Sequence, residues 1–257
     1  VAVVVVVGVV VALALTQGDD APTAPTTGAT SAPTTTAADP EATASATTGA
    51  SPTTAAGCAP AGDGPPTGAD VRDVVDVDGD GVPDRAWLTG GADRALGITT
   101  ASGATFSVPV DSASPVPAAA VVEVVQADRV PIALVDVGRE AKVFAVLGCA
   151  LVAPTNAQGE PYTFDRGFAG QGTGVGCTRD GGALRLAGLD AVAADDGTFT
   201  VTRTFVDLVD GGRLARNGAP EQVATGAGAD EPVVTTAQDV TCGDLLTGRD
   251  GPTEPRP

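Results

Sequence analysis

Apolar and polar positions alternate along the second half of the chain, whereas the first quarter shows no such rhythm. "VAVVVVVGVVVALAL", Val1 to Leu15, is apolar throughout and uncharged. As a helix it would span about 22 Å, short of the roughly 30 Å hydrocarbon core of a bilayer. The chain begins on Val without a basic flank, so a few preceding residues would complete a span. The expectation for residues 1–16 is a single transmembrane anchor with the rest of the chain outside the cell membrane. Ala12-Leu13-Ala14 supplies the alternative, an A-x-A cleavage site of a signal segment and hence a secreted protein. No cysteine follows the apolar run, so a lipoprotein anchor has no support. Residues 17–68 lack apolar periodicity, and between Ala21 and Ala56 they are nearly all Ala, Thr, Pro, Ser and Gly. Such a segment buries too little surface to offset its ordering entropy and is expected to be a disordered stalk.

Residues 69–247 read differently. Short β-rich runs are separated by turn residues, and no run has a convincing 3.6-residue period. "ALGITT" and "ATFSVPV" flank the turn "ASG", a hairpin signature. "AVVEVV", "PIALVDV" and "KVFAVLGCALV" follow, then "PYTF" after the turn "NAQG", then "ALRLAGLDAVA" and "TFTVTRTFVDLV" around "ADDG". In the last run Phe199, Val201, Arg203 and Phe205 share one face, and Thr198, Thr200, Thr202 and Thr204 the other. The predicted fold class is all-β, built from antiparallel meanders and hairpins, as a partial propeller-like or sandwich-like domain. "GFAGQGTGVGC" has neither a dinucleotide nor a P-loop pattern and reads as a flexible surface loop tied down by Cys177. The tail, 248–257, is expected to be disordered.

Charge and composition narrow the function classes. The net charge is −18 and there is no histidine. A surface this acidic repels phosphate backbones, so nucleic acid is not an expected partner. Without histidine there is no Ser-His-Asp or Cys-His catalysis and no His-ligated zinc or haem. One Trp, one Tyr and six Phe make a base-stacking platform or a sugar-binding surface rich in aromatics improbable. The four cysteines, Cys58, Cys149, Cys177 and Cys242, form no C-x-x-C pair, and in an exported chain they imply two disulfides. Three pairings are open. The favoured one joins Cys149 to Cys177 across a short span and uses Cys58–Cys242 to staple the ends of the domain. Four buried free thiols are the other reading.

The densest chemistry lies in "DVDGDGVPD", Asp76 to Asp84. Counting Asp76 as position 1, carboxylates fall at positions 1, 3, 5 and 9, and Val82 at position 7 offers a backbone carbonyl. Gly81 at position 6 permits the sharp turn that folds these oxygens around one point. Six or seven hard oxygen ligands suit calcium, and without a cation four clustered carboxylates would repel one another. Position 12, where an EF-hand places a bidentate Glu, is Trp87, and Pro83 opposes a helix inside the loop. "RAWLTG" then reads as a strand, so the scaffold is expected to be strand–loop–strand. Trp87 is expected to be a core plug that fixes the loop.

The motif Asp76-x-Asp78-Gly79-Asp80-Gly81-x-Pro83-Asp84 resembles the calcium loop of FG-GAP/VCBS-type repeats, found in integrin α-chain propellers and many bacterial surface proteins. The resemblance covers about 15–20 residues. It implies calcium ligands at Asp76, Asp78, Asp80, Val82 through its carbonyl, and Asp84.

A hundred residues later "VGCTRDGGALRLAG" aligns without gaps to "VDVDGDGVPDRAWL". Asp180, Gly181 and Arg185 match Asp80, Gly81 and Arg85, but Gly176, Thr178 and Leu184 replace the other aspartates. If this is a repeat, Cys177 substitutes a covalent link for the metal. Glu140, Glu160 and scattered aspartates offer carboxylates for glycoside hydrolysis, yet nothing in their spacing singles out a pair. The expectation is a non-enzymatic, membrane-anchored surface protein whose calcium-stabilised β domain meets an unknown surface or cell-wall ligand. The alternatives are the sensor ectodomain of a membrane signalling protein and a cell-wall-active hydrolase.

Overall fold

The computed structural model describes residues 57–167 and 173–256. The expected anchor and most of the expected stalk lie outside them. Among the described residues no helix is long and apolar enough to cross a membrane. The described residues form three sheets, each dominated by antiparallel hairpins. The first contains β1 (Asp70–Val74), β2 (Asp84–Leu88), β3 (Ala95–Thr99) and β4 (Thr105–Pro109), paired in chain order. The second contains β5 (Ala119–Val125), β6 (Val130–Asp136), β7 (Glu140–Val146), β8 (Leu151–Val152) and β9 (Thr163–Asp165). Both β8 and β9 pair with β7, at opposite ends of it. The third begins with β10 (Thr173–Asp180), β11 (Ala183–Ala193), β12 (Phe199–Val209) and β13 (Leu214–Ala227). A short helix, α1 (Pro232–Thr236), then leads to β14 (Val240–Cys242) and β15 (Leu245–Leu246), which extend this sheet on the β10 side. The β10–β14 pair is parallel.

The second sheet is buried on both faces. Val121, Ile132, Leu134, Val143 and Phe164 pack against Val175, Leu186, Val206 and Leu208 of the third sheet. On its other face Val122, Ala133, Val135, Phe144 and Val146 meet Ala86, Leu88, Leu96 and Ile98 of the first. Adjacent residues on one strand therefore serve different cores. That is why "AVVEVV" and "PIALVDV" are nearly continuous apolar runs, while the outer strands alternate. The far face of the third sheet is covered in part by α1, whose Val234 packs with Leu189, Ala191 and Val201. The element signals at β3 to β7, β9, β11 and β12 agree with the sequence reading. "KVFAVLGCALV" contains a turn, so it supplies β7 and β8 instead of one strand.

Several expectations are corrected. Cys58 pairs with Cys149, and Cys177 with Cys242. Cys177 and Cys242 are register partners on adjacent strands, β10 and β14. Cys149 lies in the β7–β8 turn of a different sheet, so its short sequence distance from Cys177 has no spatial counterpart. The folded region also starts earlier than residue 69. Cys58 is buried, and Ala61 pairs with the β3–β4 turn through Thr105 N–H donating to the Ala61 carbonyl at 2.7 Å. The tail is docked. Ala120 N–H donates to Pro252 O at 2.9 Å and Glu254 N–H to Ala118 O at 2.7 Å. Edge pairing of this kind uses backbone groups, so a polar, Gly- and Pro-rich composition gives no sign of it. The "TGVGC" part of the glycine-rich stretch forms most of β10, an interior strand. Its glycines admit close neighbours: a Cβ on Gly174 would lie 2.6 Å from the backbone of Ala237.

Candidate metal centre

The aspartate loop connects β1 to β2, whose ends pair at Val74 and Asp84. Strand–loop–strand is the expected scaffold. Gly79 and Gly81 have φ of 79° and 87°, the left-handed region that an Asp or Val would enter at a cost of about 1–2 kcal/mol. They let successive amides turn inward. Gly79 N–H donates to Asp76 Oδ1 at 2.7 Å and Gly81 N–H to Asp76 Oδ2 at 2.8 Å. Asp84 closes the loop from below. Its Oδ2 accepts from Val77 N–H and its Oδ1 from Ala101 N–H, each at 2.8 Å. The second bond ties the loop to the β3–β4 turn.

Asp76, Asp78 and Asp84 each present a carboxylate oxygen, and these atoms lie within 4.8 Å of one another. At an effective dielectric constant of about 20, two such charges repel by on the order of 3 kcal/mol. The electrostatics record the strain unevenly. Burial pushes the Asp76 carboxyl up, but amides of Gly81, Gly79, Asp78 and Asp80 together outweigh it and hold its pKa below the ordinary carboxylate value. Asp84 is almost fully buried. Its burial, with the nearby charges of Asp78 and Asp76, raises its pKa in spite of its two amide donors. The arrangement can hold a cation. It offers only hard oxygen donors, three carboxylates converge, and each carboxylate oxygen engaged by an amide keeps a further lone pair.

Of the other two expected ligands, one is a carboxylate and one a backbone carbonyl. Asp80 is outside the converging trio and accepts from Val82 N–H at 2.7 Å. Val82 is half exposed at the rim of the loop.

Sequence reasoning missed what holds Asp78. Its Oδ2 accepts from Cys58 N–H at 2.8 Å, and a Cβ on Gly57 would come within 2.6 Å of that oxygen. Cys58 O in turn accepts from Ser102 Oγ at 2.5 Å. The Cys58–Cys149 disulfide thus fixes a backbone donor of the loop from a segment assigned to the stalk. The glycine at 57 beside a cysteine was the available signal. Trp87 is buried, as expected of a core plug. It lies over Gly97, where a Cβ would meet its ring at 2.0 Å, and its Nε1–H donates to Thr99 Oγ1 at 3.2 Å.

The aligned stretch in the third sheet holds no comparable group. Gly181 and Gly182, with φ of 55° and 92°, make a two-residue turn between β10 and β11. Asp180 pairs with Arg185 at 2.7 Å, and Arg185 also holds Asp207 at 2.8 Å. Of the carboxylates offered for hydrolysis, Glu140 pairs with Lys142 at 3.2 Å and Glu160 is exposed in a turn. Two disulfides in a β domain mark a chain that folds outside the cytoplasm. Comparison of the chain with protein-family models, with curated proteins and with solved structures gives no match.

Proposed function

We propose that this chain is an extracytoplasmic β module of the FG-GAP/VCBS type whose first hairpin is stabilised by calcium, and that it serves at the cell surface as a binding or adhesion module. The convergence of Asp76, Asp78 and Asp84 within 4.8 Å carries the reading. Three consecutive meanders whose faces pack in chain order support the propeller-like form of the fold over a two-layer sandwich. The N-terminal apolar segment would tether the module to a membrane and the Thr/Pro-rich segment would space it from that surface.

Asp76, Asp78 and Asp84 would hold the ion, with Asp80 and the Val82 carbonyl completing its shell. The ion supplies charge neutralisation and no chemistry. Because it binds the folded loop alone, it stabilises the domain by mass action. Calorimetric titration with Ca²⁺ should show one site, with a Kd of about 10⁻⁴ to 10⁻³ M, the range of extracellular modules. At a hundredfold excess over Kd the gain is about 2.7 kcal/mol. No calcium heat, together with a melting temperature unmoved by chelator, rejects the proposal.

A further inference from the structure

The inner face of the third sheet changes character along its strands. On β11 Leu184 and Leu186 belong to the core shared with the second sheet. Two and four residues further, on the same face, stand Gly188 and Asp190. On the antiparallel neighbour β12, Leu208 and Val206 are core and Thr204 and Thr202 continue the face. Register places Gly188 opposite Thr204, and Asp190 between Thr173 and Thr202. The apolar face thus becomes a polar shelf, and a groove of about 370 Å³ lies on it. One wall is aromatic. Tyr162 and Phe164 meet edge to face with centroids 5.1 Å apart. Tyr162 OH donates to Asn217 Oδ1 at 2.6 Å, which fixes the ring at the rim.

Among the described residues, the polar side chains of this shelf take no part in holding the fold. The side chains of Asp190, Thr202 and Thr204 have no partner among the described residues, and Thr173 Oγ1 is buried without one. Gly188 is not required by packing either, since a Cβ there would meet Phe164 at an ordinary 3.6 Å. Its lack of a side chain leaves the floor open. The buried carboxylate of Asp84, by contrast, is satisfied by two backbone amides.

The lining selects its ligand. Asp165 and Asp190 are both in the groove and no Lys or Arg lines it, so an anion is repelled. An apolar molecule would strip water from two carboxylates and the Thr202 and Thr204 hydroxyls and return no hydrogen bonds. A neutral polyol meets both conditions: its hydroxyls donate to the carboxylates and exchange hydrogen bonds with threonines. The Tyr162 ring offers an apolar body with a fixed polar tip, suited to the C–H face of a sugar ring. The volume falls in the range of small-molecule sites. We infer that this groove binds a neutral saccharide unit, with Asp190, Thr202, Thr204 and Tyr162 as its contacts. The inference rests on the reading of the domain as a surface binding module and names its ligand class.

The test is calorimetric titration of the full chain with neutral oligosaccharides representing glucans, galactans, mannans, arabinans and chitin, with tetralysine as a basic-peptide probe. At least one oligosaccharide should bind with a Kd below about 1 mM. Asp190→Ala and Gly188→Val should each weaken it at least about tenfold. Asp190→Ala should leave the melting temperature unchanged, because the Asp190 side chain has no partner among the described residues. Binding of none of the sugars, sugar binding indifferent to Asp190→Ala, or occupation of the groove by tetralysine would each overturn the inference. Failure of the calcium reading appears elsewhere, as a melting temperature that ignores chelator while sugar binding through Asp190 persists.

Discussion

Two hairpins a hundred residues apart align without a gap, and the structure closes them by different means. Between β1 and β2 the connection is long and carries carboxylates that face one another. Between β10 and β11 it is two glycines. The first depends on what lies around it: the Cys58 amide, the β3–β4 turn and, by the proposal above, a cation. The second is complete in itself, with a tight turn, an Arg185 guanidinium shared by Asp180 and Asp207, and a disulfide to the adjacent strand. With Gly176, Thr178 and Leu184 where the first hairpin has Asp76, Asp78 and Asp84, the second carries neither the repulsion nor the need to neutralise it. Leu184 shows the difference most directly. It stands where Asp84 stands in the alignment, and it is a core residue of the third sheet.

The largest effect is expected from breaking the self-contained hairpin. Cys177→Ala with Cys242→Ala should cost about 2–5 kcal/mol in a urea melt, by the same amount with and without calcium. A calcium-dependent loss would mean that the two hairpins are energetically coupled. Next comes Asp84→Ala, which orphans the amides of Val77 and Ala101. Stability in chelator should fall by about 3 kcal/mol, and the calcium-dependent gain should disappear as well.

A third test concerns the docked tail, which secures the first sheet from outside. Glu254 pairs with Arg94 at 2.8 Å and accepts from Ala118 N–H and Gly91 N–H. Burial pushes its carboxyl up, but these donors and the Arg94 charge leave its pKa below the usual glutamate value. A depressed carboxylate pKa stabilises the fold above the unfolded value of about 4.3 and ceases to do so as the pH falls through the folded value. Glu254→Gln should therefore cost about 2 kcal/mol at pH 7 and progressively less in the acid range, as read by denaturant melts across pH. An unchanged deficit at low pH would remove Glu254 from the account. The smallest effect, read on calcium affinity and not on stability, is expected at the Cys58 amide. Cys58→Ala with Cys149→Ala frees the arm that fixes Asp78, and calcium affinity should drop about threefold to tenfold, the worth of one hydrogen bond, in the titration described above.

Local signals served well where a residue's neighbours in sequence are also its neighbours in space. The strands β3 to β7, β9, β11 and β12 could be read from alternation or from apolar runs. Asp76, Asp78 and Asp84 could be nominated as one group from spacing and glycines. Strands β1, β10 and β13 escaped notice. β10 is glycine-rich where Ala237 and Thr241 press close against it, and β13 is an exposed edge held by backbone bonds, so neither carries an apolar rhythm. The helix α1 is five residues long, less than two turns, too short for a period to show.

The amino-acid sequence alone determined the β class, the acidic loop with its glycines, and the even set of cysteines that oxidation joins. All three depend on side-chain type and on separations of a few residues. Only the tertiary structure decided which cysteines meet, that Cys58 N–H reaches Asp78, that Glu254 clasps Arg94, and that the inner face of the third sheet runs out from apolar core into a polar groove. The contacts of the cysteines, of Asp78 and of Glu254 join residues from 20 positions apart, as Cys58 and Asp78 are, to well over a hundred, as Arg94 and Glu254 are. The sheets bring them together by burying both faces of the middle layer, and no local pattern encodes that distance.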